Sequence, residues 1–157
     1  MFLGIDPGVR KLGYALIDGT CKIIQAGILL QDTAKPTRAM LYEKMCQIAS
    51  FFDTMLETNE ITAVGIEKLY FTDSNQANAE FVYGIRGALV MMLHKKHIPI
   101  YEYTPTQLKK NITWHGHATK SLVQTMIQKL YRLEAFPEFD DTADALGLAY
   151  LASKAKK

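Results

Sequence analysis

The chain has 157 residues, the size of one ordinary domain with room for a full core, and its hydrophobic fraction of 48% is that of a soluble globular protein. No apolar run approaches the roughly 20 residues of a membrane span, and no N-terminal signal pattern stands out. Cys21 and Cys46 are isolated, which excludes a disulfide framework or a zinc spacing and predicts a reducing, cytoplasmic compartment without membrane attachment. Net charge is only +2, but Lys95-Lys96-His97, Lys109-Lys110, Lys120 and the tail from Lys154 to Lys157 gather positive charge in the second half. Such clusters suit phosphate contact as well as a solvated surface.

Phe2–Asp6 is apolar and too short for a helix, which predicts a buried strand broken at Asp6-Pro7-Gly8. Leu12–Asp18 and Lys22–Leu30 predict two more strands, with Asp18-Gly19 as the hairpin signal between them. Together they make an antiparallel meander. After Pro36-Thr37, the residues Leu41, Met45, Ile48, Phe52 and Met55 recur at helical spacing and form one apolar stripe. Ile61–Glu67 is the fourth strand, and 68–75 is a polar and aromatic loop. Gln76–His94 is helical and apolar nearly all round, so it lies between layers of its own domain or meets a second subunit. Ile98–Tyr103 is the fifth strand. Thr104-Pro105-Thr106-Gln107 reads as a capping box with proline at the first helical position. Trp114-His115-Gly116-His117 interrupts, Ala118–Tyr131 resumes as helix, and a final helix runs from about Asp141 to Lys154. The absence of a linker or repeat predicts one domain over 1–157. The element order predicts an α/β fold with a mixed sheet, whose fourth and fifth strands run parallel to the first.

Acidic residues stand at informative places. Asp6 ends the first strand, Glu67 ends the fourth, and Asp141 and Asp144 open the last helix. On a helical projection Ala145, Leu148 and Ala152 lie together, with Asp141 inside that stripe and Asp144 at its edge. Capping and dipole compensation account for part of this, with Asp140 the better cap. A turn residue accounts for Asp6 alone, and an exposed strand end for Glu67 alone. If the first and fourth strands are neighbours, however, Asp6 and Glu67 meet at one edge of the sheet, and four carboxylates brought to one point can stay ionised together around Mg²⁺ or Mn²⁺. Two such ions about 4 Å apart activate water and stabilise the leaving oxygen of a phosphodiester. His115 and His117 lack a third soft ligand and make a poor metal site, while Trp114 and Tyr70 suit base stacking or partial core burial.

Four motifs carry a resemblance. Leu3-Gly4-Ile5-Asp6-Pro7-Gly8 with Arg10, Gly13 and Tyr14 resembles the opening of the RuvC family of Holliday-junction resolvases. Ile66-Glu67-Lys68-Leu69-Tyr70 resembles its second acidic motif, Gly84-Ile85-Arg86-Gly87-Ala88 its Ala-Arg-Gly helix motif, and Asp141-Thr142-Ala143-Asp144-Ala145-Leu146 its closing motif. They follow family order across nearly the whole chain. The resemblance implies an RNase H-like fold, a five-stranded mixed sheet in the order 3-2-1-4-5 flanked by helices. It implies a homodimer that makes paired symmetric nicks in four-way DNA junctions during recombination and repair, leaving 5′-phosphate and 3′-hydroxyl ends. It makes Asp6, Glu67, Asp141 and Asp144 the catalytic and metal-binding residues, with two Mg²⁺ per subunit or Mn²⁺ in their place. Lys120 joins them beside the scissile phosphate. Lys109, Lys110, Arg86, Tyr70, Phe71 and Trp114 are the expected DNA contacts, and the helix Gln76–His94 is the candidate dimer element. A RuvA-RuvB-type branch-migration complex is a possible partner. Tyr70 stands where the family usually has Phe, although Phe71 follows, and the Trp114–His117 loop is less rich in glycine than the family pattern. The alternatives are an RNase H-like nuclease acting on RNA or other branched DNA, and a non-catalytic junction-binding protein. An actin-like or sugar-kinase-like ATPase needs a second phosphate hairpin and more chain than is present.

Overall fold

A computed structural model describes residues 1–8, 11–30, 38–69, 76–134 and 140–155; for 30, 38, 76–79, 140 and 141 it describes the backbone but not the side chain. The chain begins with strands β1 (Phe2–Pro7), β2 (Lys11–Ile17) and β3 (Ile23–Leu30), followed by helix α1 (Arg38–Thr58) and strand β4 (Ala63–Glu67). Helix α2 (Gln76–Lys95) leads to β5 (Ile100–Tyr103), and helices α3 (Pro105–Thr113), α4 (Lys120–Tyr131) and α5 (Asp140–Lys154) complete it. The strands form one sheet in the order β3-β2-β1-β4-β5. The meander pairs antiparallel, while β4 pairs parallel to β1 and β5 parallel to β4. The mixed sheet and its strand order are those expected, and this is the RNase H-like arrangement.

Side-chain alternation along the strands divides the core between the two faces of the sheet. Leu3, Ile5, Leu12, Tyr14, Leu16, Val64 and Ile66 pack with Ile48, Phe52 and Met55 of α1 and with Phe81, Val82, Ile85, Leu89 and Leu93 of α2. Ala15 and Ile17 face the other way, toward Leu108 and Ile112 of α3, Val123 and Ile127 of α4, and the apolar residues of α5. Among the described side chains of α2 one stripe is buried, and Met91, at 55% exposure, points away from it.

Helix α5 lies against β1, β2 and β4. Gly4 and Gly65 make this approach possible. A Cβ on either would overlap the carbonyl oxygen of Ala145 or of Leu148, so the helix backbone rests directly on the sheet. The helix is also covered from outside. Leu108 sits over Gly147, and the Tyr131 hydroxyl donates to the Leu146 carbonyl at 2.8 Å. Burial of that phenol raises its pKa well above the ordinary value, so it stays a neutral donor.

Element ends differ from expectation where caps use residues. His97 adopts the left-handed region at φ 55°, and the Ile98 N–H returns to the Leu93 carbonyl at 3.0 Å. Ile98 therefore closes α2, and β5 starts later than predicted. Thr119 caps α4, accepting from the Leu122 N–H at 3.3 Å, so that helix begins at Lys120. The capping box at Thr104 forms as read, with Gln107 reciprocating. At the β2–β3 hairpin the positive φ falls on Cys21 (64°) rather than on Gly19. Asp18 organises that turn, its Oδ1 accepting from the Thr20 N–H, the Thr20 hydroxyl and the Lys22 N–H.

Candidate active site

The parallel pairing of β1 with β4 decides the geometry. Ile5 is in register with Ile66, so Asp6 and Glu67 are the next residues on two adjacent parallel strands. They share the face that carries Gly4 and Gly65, and α5 lies on that face. Because the glycines admit α5 so closely, Asp144 is carried to the same strand ends. An open pocket of about 250 Å³ results, lined by Asp6, Glu67, Asp144, Ala143, Lys109, Lys120, Gln124, Pro105 and Val123. Asp6 is buried at 9% exposure, while Glu67 and Asp144 are half-buried.

The basic wall comes from α3 and α4. Pro105 and the Thr104 cap start α3 at the end of β5, which sets Lys109 one turn further along the helix facing the acids. Thr119 starts α4, so Lys120 occupies its first position and Gln124 the next turn on the same face. Gln124 was not expected; its spacing of four from Lys120 was the available signal.

The remaining site candidates fall elsewhere. Lys110 neighbours Lys109 but is exposed and outside the pocket. Arg86 lies on the opposite face of the sheet, where Glu102 of β5 is in register with Ile66. Its guanidinium is ion-paired with Glu102, a tie between α2 and β5, and its side chain is 21% exposed. Trp114 is 82% exposed, in the α3–α4 connection. Asp141 belongs to the first turn of α5, but its side chain is outside the described residues, as are Tyr70 and Phe71 altogether.

The pocket's ionisable donors are carboxylate oxygens, without His or Cys, which is the set a hard divalent cation prefers. The set is open. Among the described residues no group of three or more His, Cys, Asp or Glu side chains is gathered as the cage of an ion.

The family model described as crossover junction endodeoxyribonuclease RuvC matches residues 2–151. The chain belongs to the RuvC family. A relative of the same name from Petrotoga mobilis is 36% identical over 153 residues, covering 96% of this chain and 91% of the relative. The solved structure of Thermus thermophilus RuvC superposes with a TM-score of 0.76 at 27% identity, over 94% of this chain and 89% of that one. Thermus thermophilus RuvC in complex with Holliday junction substrate gives 0.77 at 27% identity, over 95% and 91%. RuvC relatives thus span nearly the whole of this chain, and no helix among its described residues is long and apolar enough to cross a membrane.

Proposed function

We propose that this RuvC-family chain is a divalent-metal-dependent endodeoxyribonuclease that resolves four-way DNA junctions, acting as one nuclease domain over 1–157. The supporting observation is the meeting of Asp6, Glu67 and Asp144 from three separated elements in one open pocket, beside Lys109 and Lys120. Pure junction binding would be favoured by removing those negative charges. A resemblance restricted to fold would not require them together.

In this reading Asp6, Glu67, Asp141 and Asp144 hold Mg²⁺, two ions per subunit, with Mn²⁺ as a substitute. Bound there, the cation supplies Lewis acidity toward a phosphodiester oxygen and lowers the pKa of water. The protein's own groups do the rest. Asp6, buried at the centre of the sheet edge, fixes the position of the charge. Lys120 faces the phosphate and stabilises the negative charge that develops during in-line displacement. Lys109 and Lys110 hold the backbone, while Trp114, Tyr70 and Phe71 contact bases. The nicks leave 5′-phosphate and 3′-hydroxyl ends. A homodimer built on α2 places two pockets on opposed strands, and a branch-migration complex of the RuvA-RuvB type delivers the junction.

The test is a labelled synthetic four-way junction incubated with and without Mg²⁺, beside a linear duplex and an RNA–DNA hybrid. Paired nicks in the junction alone, dependent on metal, are expected. Asp6→Asn should abolish cutting while gel-shift affinity for the junction persists. Normal cutting by that variant, or equal cutting of the hybrid, would overturn the reading.

A further inference from the structure

The loop between α3 and α4 holds a feature that the acidic pocket does not explain. Trp114 is the chain's only tryptophan and is 82% exposed. It is also the C-cap of α3, at φ 64° and ψ 3°, in the left-handed region. Glycine favours that conformation, which His97 and Arg132 also adopt at helix ends in this chain, so what sets Trp114 apart is its exposed indole. At such exposure, core packing does not offset the cost of a hydrated indole.

The loop around it is well tied. The Trp114 N–H donates to the Lys110 carbonyl at 2.9 Å. The Thr113 hydroxyl lies 2.8 Å from the Lys109 carbonyl and 3.0 Å from that of His115, and it accepts from the His115 N–H at 3.2 Å. The Ala118 N–H closes onto the His115 carbonyl at 3.1 Å, with Ala118 buried. Gly116 packs so near α3 that a Cβ there would lie 3.1 Å from Thr106 Cγ2. The loop is therefore a braced turn, and its two ends run into Lys109 and Lys120 of the pocket wall.

We infer that Trp114 is a preorganised stacking platform for an unpaired nucleobase at the exchange point of the junction. This rests on the resolvase reading and adds the chemistry that the loop selects. A flat apolar ring, exposed on the turn that joins the two helices carrying Lys109 and Lys120, is matched by a base face. Within a continuous duplex both faces of each base are covered by neighbours. Where strands exchange, the stack between arms is interrupted, so opening the junction centre exposes a base face at less cost than opening a continuous duplex. Trp114 thus favours an opened junction centre over duplex, with little dependence on which base it meets.

The lone tryptophan makes the test direct. The non-cutting Asp6→Asn protein is titrated with Mg²⁺ and a dye-labelled four-way junction, or with duplex of equal length. Indole emission and dye anisotropy are read together. Indole quenching that follows junction binding and is absent on duplex is expected. In the complex, 2-aminopurine placed at the exchange point should be dimmer with Trp114 present than with Trp114→Gly, because stacking on the indole quenches it. In the same Asp6→Asn background, Trp114→Gly should relax the turn, leaving melting temperature unchanged or raised, yet weaken junction binding by about tenfold, with Trp114→Phe intermediate. If the junction binds with unchanged indole emission and Trp114→Gly binds normally, the platform is wrong and the resolvase reading stands. Equal quenching on duplex overturns the selection of unpaired bases. If anisotropy shows no preference for junction over duplex, the resolvase reading fails and takes the platform with it.

Discussion

Lys120 and Asp18 show how differently a charge acts at two places in the chain. Lys120 is exposed at the first turn of α4 but lines the acidic pocket. In the proposed mechanism its ammonium gains most when a phosphate acquires further negative charge, so its contribution there is differential between ground and transition states. Lys120→Ala should therefore lower single-turnover cleavage by about 100-fold, in line with loss of one transition-state contact. Its effect on junction affinity should stay within a few fold, and affinity lost in proportion to rate would reassign it to simple binding. Asp18 lies far from the pocket in sequence and function. Hydrogen bonds from the Thr20 hydroxyl, first, and from the backbone at Lys22 hold its carboxyl below the ordinary value of 3.8. A depressed folded-state pKa contributes stability above the unfolded value and loses it as pH falls through the folded one. Asp18→Ala should thus melt below wild type at neutral pH, with the gap closing in acid below about pH 4. Asp18→Asn retains the accepting oxygen, so it isolates the charge; a gap that ignores pH would place the effect in turn geometry alone.

At the scale of elements, the site depends on how closely one helix lies on the sheet. α5 delivers Asp144, and Gly4 and Gly65 set its height. Gly65→Ala would press a methyl into the Leu148 carbonyl, and the helix must lift or tilt to relieve it. Overpacking of this kind costs about 1–3 kcal/mol. Calorimetry should show that loss, and cleavage should fall further than global stability explains, because the displaced helix carries Asp144, a ligand of the proposed metal site. A variant with full activity and a lowered melting temperature would uncouple helix height from the site. Gly87→Ala is the matched control, since a Cβ there meets nothing within 4 Å.

For the whole molecule, the question is how one pocket becomes two coordinated cuts. α2 buries Phe81, Val82, Ile85, Leu89 and Leu93 within its own fold and leaves Met91 exposed. On α1, which packs against it, Met40 and Tyr42 are exposed as well. In the proposed two-fold assembly these residues would supply apolar surface to the partner. Met91→Glu should raise the dimer dissociation constant by at least about tenfold, equivalent to about 1.4 kcal/mol, as read by sedimentation velocity. The junction products should then shift from paired to single nicks. Unchanged dimerisation would remove α2 from the interface.

Much of this protein was legible in its sequence because the signals are local. Apolar runs marked the strands, the Thr104–Gln107 box marked a helix start, and the family motifs came in order. The carboxylates at Asp6 and Glu67 were conspicuous for the same reason, as each ends an apolar run. Other features depended on contacts between distant segments. Arg86 reads as a DNA contact from its motif, and its pairing with Glu102 of β5 on the opposite face of the sheet follows only from the fold. Gly4 and Gly65 carry no sign that a helix backbone will rest on them. Trp114 read equally as core or surface, and only the folded turn decided its exposure. Local patterning specifies which residues form strands and helices. Which side chains share a pocket is decided by strand register and helix packing, and those follow from the fold as a whole.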